Sequence, residues 1–340
     1  MSASQELGLR WGHVAGTASV GAMSQPPAPD SARPPVVVVG QVARDLVLVV
    51  EEAPRPGCSV DVDHRRELLG GKGANIAVGL AQLGVPVAVV GVVGDDLVGE
   101  ELLAQCRRDH LDTTSVLRRT GTETALMVDV VTADGQWRYL DSVPAGALLT
   151  PADIEATGDL LGTASTVILQ LKQPADAVLA ALDRVNPLCR VILDGVPEDA
   201  ARRDRILAAG SVLRLDAQEA ELLAGHPIPD EAAARTVAAD LLNRGPDLVV
   251  VAVGSGNLVA WSEGAVLIPL IAPDAVVDTT GGGDAFVAAL TWALDRGEDP
   301  VRAGQLATAA AGLVVRHPGG RPAMDAATVE AWSSRLGANR

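Results

Sequence analysis

Short valine-rich runs alternate with helix-length segments through almost all of the chain after residue 35, and this alternation constrains the fold more than any other feature. Strand-sized apolar runs are read at 36–39, 87–93, 167–171, 190–193, 211–213 and 247–253. Between them, apolar residues recur at helical spacing over 73–83, 97–109, 175–184, 200–208, 217–223 and 231–243. Two alanine-rich helical stretches, 284–295 and 301–316, close the pattern. Runs that are apolar at nearly every position need cover on both faces, which helices on either side of a parallel sheet supply. The pattern therefore predicts an α/β fold, a doubly wound, mostly parallel sheet flanked by helices.

Two regions break the alternation. Residues 46–66 and 124–141 read as extended pieces, the second folded around the turn 133–135, and a further hairpin is read at 258–270. The first two straddle a glycine-rich segment and are expected to pair as a small β-sheet lid. Residues 1–34, rich in Ser, Ala, Gly and Pro, read as a disordered tail without a secretory signal, and Met23 is a candidate start. The folded domain is set at 35–330 and a C-terminal tail at 331–340.

Composition removes several function classes. The net charge is −16, from 27 basic and 43 acidic residues, which argues against a nucleic-acid or anionic-membrane binder. Five Trp, one Tyr and one Phe are too few for base-stacking platforms. Cys58, Cys106 and Cys189 make no CxxC pair, and His64, His110, His226 and His317 show no metal spacing. Reduced thiols in a cytoplasmic protein are the expectation. Trp137 and Tyr139, on the second lid segment, are read either as a cover for substrate or as strand packing. Arginine outnumbers lysine 25 to two, so Lys72 and Lys172 each invite a functional reading.

Two glycine-rich segments open predicted helices. In Gly70-Gly71-Lys72-Gly73-Ala74-Asn75 the backbone is bare enough for a ligand to approach, and the helix start offers unpaired N–H groups. It is neither a phosphate-binding GxxxxGK[ST] loop nor GxGxxG. The second segment, Asp278-Thr279-Thr280-Gly281-Gly282-Gly283-Asp284-Ala285-Phe286, points consecutive N–H donors at one spot, as suits charge developing on a transferring phosphoryl group. Asp284, in the first helical turn, is placed to accept the proton of an attacking hydroxyl.

These two segments resemble the two signatures of the PfkB carbohydrate kinases, the first being similar to the ribokinase version, and the resemblance spans about residues 36–325. It implies a ribokinase-like fold with a β-sheet lid, and ATP- and Mg²⁺-dependent phosphorylation of a primary alcohol, usually on a sugar. It makes Asp284 the catalytic base and Gly281, Gly282 and Gly283 the anion hole. It assigns Asp45, Gly71, Lys72 and Asn75 to the sugar, Asp216 and Glu219 to metal and phosphate, and Gly254 and Ser255 to the nucleotide. Asp278 and Thr280, with the 319–320 region, match a monovalent-cation loop that would hold K⁺, and the lid is a possible homodimer contact.

Several positions depart from the ribokinase pattern. Ala43 stands where an asparagine touches ribose, Lys172 where a glutamate is usual, Asp216 for asparagine and Ala323 for a serine of the cation loop. A lysine facing the sugar pocket favours an anionic substrate, so Lys172 joins the expected substrate residues, and a surface lysine is the alternative. A nucleoside or phosphosugar kinase, and a non-catalytic sugar or nucleotide sensor, stay open beside the sugar kinase. An NAD-dependent enzyme lacks its glycine fingerprint.

Overall fold

The computed structural model describes residues 35–134, 136–271, 276, 279–317 and 324–337. The tail expected at 1–34 lies outside these residues. The chain runs β1 (Val36–Val39), β2 (Ala43–Val50), β3 (Val62–Gly70), α1 (Lys72–Gln82), β4 (Val87–Gly94), α2 (Leu97–Arg108) and β5 (Val116–Arg119). Then come β6 (Leu126–Thr132), β7 (Trp137–Ser142), α3 (Pro151–Glu155), α4 (Leu160–Thr163), β8 (Thr166–Gln170), α5 (Ala175–Leu182), β9 (Arg190–Asp194) and α6 (Arg203–Ala208). The remainder is β10 (Val212–Leu215), α7 (Ala217–Ala224), α8 (Glu231–Leu242), β11 (Leu248–Val253), β12 (Gly256–Trp261), β13 (Gly264–Pro269), α9 (Gly282–Asp295), α10 (Pro300–Val314) and α11 (Ala326–Gly337).

The large sheet has nine strands in the order β13-β12-β11-β10-β9-β8-β1-β4-β5. From β11 to β5 every pairing is parallel, and β12 and β13 add an antiparallel edge. Each face has its own core. Val36 and Val38 of β1 point into a cluster with α1, α2, α9, α10 and α11, whereas Val37 and Val39 point into one with α3 to α8. The period of two in a run of four valines thus feeds both layers. The chain winds outward from β1 through β4 to β5, then returns to β8 on the other side of β1. That reversal opens a crevice at the carboxyl ends of β1 and β8, the usual ligand site of such sheets. There the Gln41 N–H donates to Gln170 Oε1 at 2.7 Å.

The two segments that broke the alternation pair as expected, in a separate four-stranded sheet of order β3-β2-β6-β7. The central pair, β2 with β6, is parallel. Three boundaries differ from the sequence reading. β3 runs over Val62–Gly70, past the expected limit of 66, because its first six residues are all exposed and carry no apolar alternation to mark it. β5 is a four-residue edge strand whose pattern is too short to read. The C-terminal tail expected from 331 is instead the body of α11, which buries Val329, Ser333 and Leu336. Among the described residues no helix is long and apolar enough to cross a membrane, and all three cysteines are free thiols.

Candidate active site

Both glycine-rich segments begin helices that lie side by side on one face of the sheet. β3 ends at Gly70 and hands the chain directly to α1, so the small sheet delivers the loop to the crevice. A methyl on Gly73 would lie 2.7 Å from the carbonyl carbon of Gly40, so α1 starts against the end of β1 only because position 73 has no side chain. The Ala74 N–H donates to the Gln41 carbonyl at 3.1 Å and fixes that approach. Asp45, on β2, extends over Gly70, where a methyl would lie 1.9 Å from its carboxyl carbon. Ala43 is buried against Ala125 and Ala147, so this corner presents no polar side chain at position 43.

Gly281 caps α9 with φ 74°, in the left-handed region that glycine adopts readily, and no side chain caps the helix. The Gly282 N–H turns back to the Thr279 carbonyl at 3.2 Å, so the donors that face outward start at Gly283. Asp284 is 7% exposed and accepts a hydrogen bond from Asn75 Nδ2 at 3.0 Å, which ties the first turns of α1 and α9 together. Burial pushes its carboxyl above the ordinary range, against Lys72 above all and against the Asn75 bond and Arg214. A carboxylate held near a helix N-terminus with a raised affinity for protons can serve as a base.

Lys72 does more than face the crevice. Its ammonium lies 3.2 Å from Glu219 Oε1 and 3.8 Å from Asp194 Oδ2. Asp194 above all, with Glu219 and Asp284, holds it well above the usual lysine range against its burial. Glu219 and Asp216 form a capping box at the start of α7. The Asp216 carboxylate accepts the Glu219 N–H at 2.8 Å, and Glu219 Oε2 accepts the Asp216 N–H at 2.9 Å. Gly254 and Ser255 are exposed in the turn after β11, at the same carboxyl edge of the sheet, and nothing stands within 4 Å of where a Gly254 methyl would be.

Two charged residues of the cluster went unread in the sequence. Asp194 ends β9 and Arg214 sits in β10, directly in register with it, and Arg214 Nη1 lies 3.3 Å from Asp194 Oδ1. A charge at the carboxyl end of an otherwise apolar strand (VILD, VLRL) was the available signal. Lys172, by contrast, is not brought into the cluster. It is exposed, makes no hydrogen bond or ion pair among the described residues, and lines a groove with Asp176, Glu198 and Arg202. Thr280 is half-buried, whereas Asp278 and residues 318–323 lie outside the described residues.

Residues 34–327 match the profile of the pfkB family carbohydrate kinases. The chain is 31% identical to Mus musculus ribokinase over 76% of its own length and 81% of that protein. It is 31% identical to Bacillus subtilis ribokinase over 82% of its length and 92% of that protein. In structure it is similar to Arabidopsis thaliana ribokinase complexed with ribose and ATP, with a TM-score of 0.76 at 27% identity, over 88% of this chain and 99% of that one.

Proposed function

The chain belongs to the pfkB family of carbohydrate kinases, phosphotransferases that act on a hydroxyl group, and we propose that it transfers the γ-phosphate of ATP to a primary hydroxyl of a small sugar, with Asp284 as the base. One observation carries the assignment of the base: a buried carboxylate at the uncapped start of α9, bonded to Asn75 of the other glycine-rich helix.

In this reading the sugar lies between the Asp45–Gly71 corner and Asp284, with its hydroxyls held by Asp45 and Asn75. The hydroxyl proton passes to the Asp284 carboxylate as the oxygen bonds to the γ-phosphorus and the bond to the β-phosphate oxygen breaks. Charge on the phosphoryl oxygens is met by the N–H groups of the first turn of α9, Gly283 foremost, and by the helix dipole. The nucleotide runs along the carboxyl edge toward Gly254 and Ser255, with open space beside Gly254 among the described residues. Raised by burial, the Asp284 carboxyl drives proton transfer harder than an exposed aspartate would, while Lys72 pulls it back toward the ionised form.

The donor set suits Mg²⁺, which takes oxygen ligands and is commonly held by one or two carboxylates together with phosphate. Asp216 and Glu219, which face each other across the capping box at the start of α7, would hold the ion together with phosphate oxygens, while Asp194 stays with Lys72 and Arg214. When bound, the ion would supply charge neutralisation on the phosphate oxygens. Exposed Tyr139 and Leu140 on β7 support pairing of two copies through the small sheet.

The test is ADP release by the purified chain with ATP, Mg²⁺ and a panel of pentoses, hexoses, nucleosides and sugar acids. The reading expects turnover on a free sugar, with D-ribose tried first. Turnover confined to nucleosides, or none with any acceptor, would refute it.

A further inference from the structure

Arg214 is an unusual residue for its place in the sheet. It lies in a parallel strand whose other residues, Val212, Leu213 and Leu215, are all buried, and it is itself only 8% exposed. Replacing such a buried pair with apolar residues is commonly neutral or stabilising, so the fold does not require the charge. Its position is odder still. The contacts with Asp194 Oδ1 at 3.3 Å and Glu219 Oε2 at 3.9 Å both use Nη1. The other arm reaches α9, where a methyl on Gly283 would lie 2.7 Å from Nη2. A guanidinium therefore covers the N-terminus of a 14-residue helix that no side chain caps. That end of a helix carries the positive pole of its dipole and favours anions, not cations. The Asp284 carboxylate in the first turn supplies part of the negative charge that lets cation and helix end lie together, and a phosphoryl group would supply the rest.

Building on the kinase reading, we propose that Arg214 is a catalytic residue that grips the transferring phosphoryl group from the sheet side while the first turn of α9 grips it from the other. The planar fork matches two phosphate oxygens at once, which a lysine cannot do. Asp194 and Glu219 hold the guanidinium from behind, so it needs no reorganisation when charge develops on the phosphoryl oxygens. Burial opposes the charge, but Asp194, Glu219, Asp216 and Asp284 more than offset it, and the group stays cationic at any working pH. Gly283 gains a second reason to be glycine, since any side chain would push the guanidinium out of its seat.

The experiment compares wild type, Arg214→Ala and Arg214→Lys on the best sugar of the panel. It measures kcat, sugar binding by calorimetry, the ratio of ATP to ADP affinity, and rescue by millimolar guanidinium against urea as the neutral control. Arg214→Ala should lose at least about a thousandfold in kcat, the lower end of what an arginine supplies to phosphoryl transfer. Sugar affinity should stay within about threefold, because the guanidinium meets phosphate rather than sugar. Guanidinium should restore part of the rate and urea none. Arg214→Lys should fall between the two and lose discrimination between ATP and ADP. Should Arg214→Ala fail to fold, Arg214→Lys alone decides, and wild-type kcat and nucleotide discrimination in it would overturn the proposal. So would Arg214→Ala with near-normal kcat, or a loss that guanidinium does not touch. A wild-type chain inert toward every acceptor removes the kinase reading itself, and that outcome is visible before any variant is made.

Discussion

Replacing Lys72 with methionine removes the one ammonium in the carboxylate cluster while keeping the length of the side chain. Its distances of 3.2 Å to Glu219 and 3.8 Å to Asp194 correspond to roughly 5 and 4 kcal/mol of attraction at an effective dielectric of about 20. Desolvation of the ammonium offsets much of this, and breaking a buried pair from one side costs about 3–5 kcal/mol in practice. The Lys72 side chain is 31% exposed, so the lower end applies, about 3 kcal/mol. With an unfolding entropy of about 2.1 cal/mol/K per residue over roughly 300 folded residues, melting should drop by about 5 °C. The loss depends on pH with a definite sign. Asp284 already binds its proton more tightly in the folded state than an unfolded aspartate does, and Lys72 is the chief force holding that affinity down. Without Lys72 the folded-state pKa climbs further, so the folded variant takes up protons as pH falls, and the stranded charge is relieved. Thermal unfolding followed by circular dichroism at pH 8 and pH 5 should show a gap to wild type that is full at pH 8 and smaller at pH 5. Equal melting temperatures at pH 8, or a gap that widens in acid, would refute the ion-pair account of the cluster.

Asn75→Leu should move the acid limb of kcat/KM to higher pH, because the lost hydrogen bond was one of the forces lowering the Asp284 pKa and a base with a higher pKa is protonated sooner as pH falls; a limb that stays put or moves down would show that Asp284 does not set it. Gly79→Val should cost about 1–3 kcal/mol, since a side chain at 79 meets the Ala288 Cβ at 2.8 Å and prises α1 from α9. It should also slow turnover, because the two helices carry Asn75 and Asp284. Wild-type melting and kcat in that variant would argue against the close crossing.

What could be read from the chain alone follows from locality. Val36–Val39, Val87–Gly94 and Leu248–Val253 announce themselves as buried parallel strands because the apolar run is unbroken within a few residues. The glycine-rich segments are equally local: helix start, bare backbone and flanking Asn75 or Asp284 stand together. β3 escapes because a strand exposed along most of its length has no reason to alternate, and α11 escapes because few of its residues face the core. The ion network is hidden for a different reason. Lys72, Asp194, Arg214 and Glu219 belong to α1, β9, β10 and α7, and only the order of strands in the sheet brings them together. Lys172 shows the converse. Its rarity and its place where the family usually has a glutamate pointed to the site, with a surface lysine as the alternative, and the chain turns after β8 and leaves it exposed.

The claim at the centre is that Asp284 removes the proton from a sugar hydroxyl that then takes phosphate from ATP. Wild type and Asp284→Asn can be incubated with ATP, Mg²⁺ and the best sugar of the panel, and the product followed by ³¹P NMR, with sugar binding measured separately by calorimetry. The account predicts a phosphomonoester on the primary carbon with wild type and a rate about 10²–10⁴-fold lower with Asp284→Asn at unchanged sugar affinity. A phosphomonoester formed by Asp284→Asn at close to the wild-type rate would contradict it.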